Sequence, residues 1–239
     1  RIDCLVCHDT TKTYVKPSAD AGHPAYEDKL SNGKIVFRLE GGGALRVESG
    51  SFAWSGGTVT IDPLRLAPGM TTMELTLHCR DVDLAVMLNA LAGEEIVSGE
   101  ARLSGVIPMK LSGGDLQFMD GRLDSTPGRT GQLRVSKPEA ISGGQVLVEE
   151  AIREFDYNWI KVRLDGRGDR LNMIVSIDGA PARKLPLRYD QKKGDFVRQP
   201  AGKPGVELKG LLLDIRFIDI DLKDLLDTGG RVTAGGRIK

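Results

Sequence analysis

The feature that most restricts the fold is a period of two. From Lys34 onward, apolar and polar residues alternate in one stretch after another. Ile35, Phe37 and Leu39 alternate with Arg38 and Glu40, and Leu45 and Val47 with Arg46 and Glu48. In "TMELTLHC", Met73, Leu75, Leu77 and Cys79 share one face, with Glu74, Thr76 and His78 on the other. "IKVRLDG" sets Ile160, Val162 and Leu164 against Lys161, Arg163 and Asp165, and "LNMIVSIDG" lines up Leu171, Met173, Val175 and Ile177. Successive side chains of a strand point to opposite faces, so this pattern predicts strands with one dry and one wet side. The 30 glycines and the low aromatic content, 5%, suit many strands joined by tight turns, as at "SGG" 112–114 and "GRGD" 166–169.

Helical spacing is brief. "DVDLAVMLNALAG" places Leu84, Met87, Leu88 and Leu91 at i, i+3, i+4 and i+7, with Asp81 or Asp83 as N-cap and Gly93 beyond the end. "VLVEEAIREF" gives a weaker helix. "DIDLKDLLDTGG" gives a third, with Leu222, Leu225 and Leu226 inward and Gly229 as stop. The first and third belong to a repeated unit: a strand, Asp-Val/Ile-Asp-Leu, a short leucine helix, then a new strand. Three short helices are too few to cover about a dozen strands, so the expected fold is mainly β, open and repetitive, with a few short amphipathic helices; the resemblance given below makes it an open, twisted, repeating groove. The bare apolar strip either packs on a second sheet or lines a channel.

Several classes of chemistry find no support. Lys plus Arg equals Asp plus Glu, so there is none of the basic excess expected with a nucleic-acid partner. No run of about 18 apolar residues spans a membrane. There is no Walker-type phosphate loop, and "GGG" at 41–43 precedes no predicted helix. His78 sits on a wet strand face, Trp54 and Trp159 read as core or rim aromatics, and Cys79 reads as a small buried hydrophobe. The acidic turns "GGDLQFMDG" and "DGRGDRL" lack the calcium-loop pattern. The expectation is a protein that is not an enzyme. The chain starts at Arg1 inside a motif and stops at "GGRIK", which reads as a piece of something longer, with any membrane anchor in a missing segment.

Residues 1–30 differ in texture, being turn-rich loop around Cys4-Leu5-Val6-Cys7-His8. Two thiols and an imidazole at this spacing are what covalent haem attachment needs; the same residues could also hold zinc or a redox disulfide. "RIDCLVCHDTTKTY", with the following "PSADAGHP", resembles the octahaem cytochromes of the tetrathionate-reductase type. That resemblance implies haem c on Cys4 and Cys7, with His8 as axial ligand to the haem iron. His23 is then either a distal ligand or an ordinary loop histidine. Some 26 mostly polar residues cannot wrap a haem alone, and the sequence holds no second C-x-x-C-H.

From about residue 39 to 239 a second resemblance takes over. "LRVESGSFAWSGGTVTIDPLRL", "RDVDLAVMLNAL", "VSGEARLSGVIPMKLSGGDLQFMDGRLDSTPGRTGQLRV" and "AIREFDYNWIKVRLDGRGDRLNMIVSIDGAP" resemble the YdbH-like, AsmA-like envelope proteins, also catalogued as a dicarboxylate transport domain. The resemblance implies an open periplasmic β-groove that conducts phospholipid between inner and outer membranes, with envelope proteins of both membranes as partners and no cofactor. The domain division expected is 1–30, a cytochrome-like fragment, and 31–239, the groove. Dicarboxylate transport finds no support, because the basic residues look scattered along the wet faces. The groove lining expected is Met73, Leu75, Leu77, Ile160, Val162, Leu164, Leu171, Met173, Val175, Ile177, Leu211, Leu213, Ile215 and Phe217. The alternatives are electron transfer through a haem c and a structural periplasmic β-module.

Overall fold

The computed structural model describes residues 31–92, 94–142, 144–200 and 202–221. Cys4, Cys7, His8 and His23 lie outside them, as do Gly93 and the expected third helix from Leu222 onward. The chain runs β1 (Ser31–Leu39), β2 (Leu45–Trp54), β3 (Gly57–Ile61), β4 (Leu64–Leu66), β5 (Thr72–Asp83), α1 (Leu84–Ala92) and β6 (Val97–Gly99). It continues through β7 (Arg102–Ser112), β8 (Asp115–Ser125), β9 (Gly131–Val135), α2 (Val146–Ile152), β10 (Phe155–Arg167) and β11 (Arg170–Pro181). Last come β12 (Leu187–Asp190), β13 (Asp195–Arg198) and β14 (Leu211–Asp221).

Twelve of these strands form one antiparallel sheet, ordered β1-β2-β3-β5-β7-β8-β10-β11-β14, with β4 beside β2, and β9 joining β10 to β6. Among the described residues it does not close: β1 and β14 stand at opposite edges. β12 and β13 form a separate hairpin. The hairpins turn where glycine permits. Ser55–Gly56 and Gly113–Gly114 have positive φ at both central positions, the geometry whose twist matches that of the flanking strands.

Three β-bulges re-aim the long strands, each with an aspartate in the left-handed region. They are Asp81 (φ 54°), Asp120 (φ 50°) and Asp219 (φ 57°). Aspartate reaches this region more readily than most residues. The register skips beside each: between Cys79 and Val82, around Gly121, and between Phe217 and Ile220. The first and third bulges are held alike. The Asp81 N–H donates to Ser104 Oγ (3.0 Å) and the Asp81 carbonyl accepts from Arg102 (3.1 Å). The Asp219 N–H donates to Asn172 Oδ1 (3.0 Å) and its carbonyl accepts from Arg170 (3.3 Å). Thus "RLS" at 102–104 and "RLN" at 170–172 face the two copies of Asp-Val/Ile-Asp, and the sequence repeat is a repeat of backbone geometry. "RLD" at 163–165 faces the second bulge, where Arg163 binds the Asp120 carboxylate itself (3.2 Å). Bulges increase local twist and bend the strand that carries them.

Helix α1 forms where a run of Leu, Ala and Met follows a capping carboxylate: Asp83 Oδ1 accepts the Ala85 N–H at 2.9 Å. Leu84, Met87 and Leu88 are buried as the spacing predicts, and so are Ala85, Asn89 and Ala90. Asn89 is satisfied by the backbone, accepting from Ile96 and Val97 and donating to the Val97 carbonyl. It fixes the start of β6 under the helix. Helix α2 buries Ile152 toward the sheet, while Ala151 packs with Leu185 and Leu187 of the arm that carries β12 and β13. No helix among the described residues is long and apolar enough to cross a membrane.

Candidate functional site

Residues directly opposite in register share a face, so the sheet can be read as rows running from strand to strand. One row joins Phe52, Val59, Cys79, Gly105, Leu123, Val162, Val175 and Ile215. A second joins Val82, Leu103, Ser125 and, through Ile160, Ile177 and Leu213. On the other side of the first lie Ile61, Leu77 and Ile107, then Leu164, Met173 and Phe217. Gly121 bridges this row, since a Cβ there would lie 3.1 Å from Ile107 and 3.3 Å from Leu164. Further along come Leu75, Met109 and Phe118, continuing through Gly166 to Leu171 and Ile220. At the strand ends stand Met73, Leu111 and Leu116. The result is one continuous apolar face spanning the sheet.

All fourteen residues expected to line the groove lie on this face, but at different depths. Ile160, Val162, Leu164, Leu171, Met173, Val175, Ile177 and Leu213 are buried, each at most 7% exposed. Met73, Leu75, Leu77, Leu211, Ile215 and Phe217 are half-buried. The strip is therefore not uniformly bare. α1, α2 and the β6–β9 pair lie over one margin, where Leu88, Val97, Leu133, Ile152, Phe155 and Ile177 leave a narrow, wholly apolar cleft. In the middle, Val59 and Val175 are fully buried. Cover thins toward the opposite margin, where Met73, Met109, Leu111, Leu116 and Phe118 remain partly accessible. The turns at Gly113–Gly114 and Gly168–Asp169 sit on that margin, tied to neighbouring strands by Gly113 N–H to Thr71 O (2.9 Å) and Gly168 N–H to Leu116 O (2.7 Å).

Cys79 shows how dry the middle is. The residue is 4% exposed, and burial pushes its thiol pKa up to about 11. The outer face is wet and salt-bridged. Lys110 pairs with Glu74 (3.2 Å), Arg163 with Asp120 (3.2 Å), and His78 bonds Asp62 (2.9 Å). Trp54 packs against the core from the rim, whereas Trp159 lies under Lys161 at 4.9 Å.

A family model described as YdbH-like, intermembrane phospholipid transport protein YdbH, matches residues 29–181. The chain belongs to the YdbH-like family. No curated protein and no solved structure matches it. The YdbH-like match covers β1 through β11, hence most of the apolar face and its helical cover, and leaves Cys4–His8 outside.

Two clusters escaped the sequence reading. Glu149 and Glu150 of α2 are buried, and Arg198 binds both, with a 3.0 Å bond to Glu150; Arg183 and Arg153 stand 3.4 and 3.6 Å from Glu150. Burial would raise the Glu150 carboxyl, but the hydrogen bond from Arg198 and the charges of Arg153, Arg198 and Arg183 hold it below the usual value. This cluster clamps β13 to α2. The second cluster corrects the impression of scattered cations. Arg38, Arg46 and Arg65 stand directly opposite one another on β1, β2 and β4, with Glu40 and Glu48 beside them. Nothing in the linear spacing signals either cluster, because each is assembled from separate strands.

Proposed function

We propose that this YdbH-like chain is a non-enzymatic conduit that shields phospholipid acyl chains on its apolar β-face as they pass between inner and outer membranes. The observation that carries the reading is the apolar face, continuous across the open sheet and less covered at one margin. Tails would lie against the half-buried Met73, Leu75, Leu77, Leu211, Ile215 and Phe217, with the fully buried residues as the floor that shapes the trough. Each methylene kept from water contributes about 0.8 kcal/mol, so a sixteen-carbon chain is held by roughly 10 kcal/mol against water. Sliding along the rows exchanges one apolar neighbour for another, so little of that gain is lost, while the headgroup stays wet beyond the margin. On this reading the protein works in the periplasm, with phospholipid as cargo and proteins of both membranes as partners.

The test is photo-crosslinking with a diazirine side chain at Leu75 or Phe217, in the presence of phospholipid vesicles. Lipid adducts are expected at both positions. Leu212, 59% exposed on the opposite face, serves as control and should give none. Adducts absent from the inner positions, or equal at Leu212, would refute the conduit. The Cys4–His8 motif supports a second, separate reading, a haem c attached through Cys4 and Cys7 with His8 as ligand; absence of a pyridine haemochrome band after expression with c-type maturation removes it.

A further inference from the structure

We infer that Arg38, Arg46 and Arg65 form a phosphate-binding lip for the headgroup of a phospholipid whose tails lie on the apolar face. This inference rests on the conduit reading and names where the polar end of the cargo is held. Register is the first argument. Arg38 pairs with Arg46 and Arg46 with Arg65, so three guanidinium groups occupy consecutive positions in one cross-strand row. Like charges set directly opposite destabilise a sheet unless an anion joins them. The protein supplies two: Glu48 binds Arg38 at 2.7 Å and Glu40 binds Arg65 at 2.7 Å. Arg46, at the centre, reaches Glu40 at 3.9 Å, beyond hydrogen-bond distance, and its side chain is 58% exposed. Three cations against two carboxylates leave one positive charge at the middle of the row, with guanidinium donors turned to solvent.

Position is the second argument. Leu39, Leu45 and Leu66 form the next row, on the opposite, apolar face. Leu39 is 63% exposed, and Leu45 and Leu66 are half-buried. The edge of the sheet is thus basic on one side and apolar on the other, one residue apart. A phospholipid straddling it sets its phosphate on the arginines and its tails on the leucines, matching charge to charge and grease to grease. Guanidinium forks bind phosphate oxygens in pairs, which a lysine cannot reproduce.

The test uses the full chain and three probes: monomeric dihexanoyl-phosphatidylglycerol, dihexanoylglycerol and inorganic phosphate, each titrated by calorimetry. The wild type is expected to bind the phospholipid at least about tenfold more tightly than either other probe. Arg46→Gln with Arg65→Gln should remove that advantage while leaving dihexanoylglycerol binding unchanged. Arg46→Lys with Arg65→Lys keeps the charges and should recover only part of it, which separates loss of the site from loss of the fold. Unchanged phospholipid binding in the glutamine variant overturns the lip and leaves the conduit standing. Inorganic phosphate bound as tightly as the lipid reduces the row to an ordinary anion site and also overturns it. Failure of both lipids to bind the wild type sinks the conduit and the lip together.

Discussion

Cys79 offers a direct measure of how closed the middle of the apolar face is. The chain holds three cysteines, so Cys4→Ser with Cys7→Ser leaves Cys79 as the sole thiol. A thiol at the ordinary 9.0 is about one-tenth ionised at pH 8, whereas one raised to about 11 is about one-thousandth ionised. Since the thiolate is the reactive form, ionisation alone slows disulfide exchange about a hundredfold. Sterics add to this: the side chain is 4% exposed and lies in the row between Val59 and Gly105, so a bulky reagent needs that part of the sheet to open. The expected result with an aromatic disulfide reagent at pH 8 is a native rate at least 100-fold below that in urea. A native rate within about tenfold of the denatured one would show water reaching the floor of the trough at β5, and the division into sealed middle and open margin would be wrong.

Other perturbations separate core burial, backbone clearance and buried charge. Ile160→Ala removes a fully buried side chain and should cost about 2–5 kcal/mol in urea titration, whereas Leu212→Ala on the wet face should stay within about 0.5 kcal/mol. Gly105→Ala would put a Cβ 2.0 Å from the Arg122 carbonyl oxygen, forcing β7 from β8; strong destabilisation is expected by thermal melt, against near neutrality for Gly41→Ala, where nothing lies within 4 Å. Glu150 is held below its ordinary pKa, so its contribution is complete above the unfolded-state value and is lost as pH falls through the depressed folded one. Wild type should therefore lose more melting temperature between pH 5 and pH 3 than Glu150→Gln; equal slopes would dismiss the clamp.

Much of the architecture is local and hence legible. Alternation in "IKVRLDG" and "LNMIVSIDG" names both the strands β10 and β11 and their dry faces, because side-chain direction in a strand follows from sequence parity alone. The helix after Asp83 is equally local, resting on a cap and a leucine spacing. The D-[VI]-D repeat was visible as letters, but its meaning as a left-handed bulge braced by Arg-Leu-Ser or Arg-Leu-Asn required knowing which strands are neighbours. The fourteen candidate residues share one apolar face, as their parity implies, while the depth of each was not legible, since depth depends on where α1 and α2 come to rest.

By itself, then, the sequence determined that strands form, which side of each is apolar, and that the chain resembles a lipid-conducting family. Only tertiary structure decided that one margin is covered and the other exposed, that Glu149 and Glu150 are buried against Arg198, and that Arg38, Arg46 and Arg65 meet. The reason is physical: parity and spacing act between residues near in the chain, whereas burial and charge convergence depend on strand order and register.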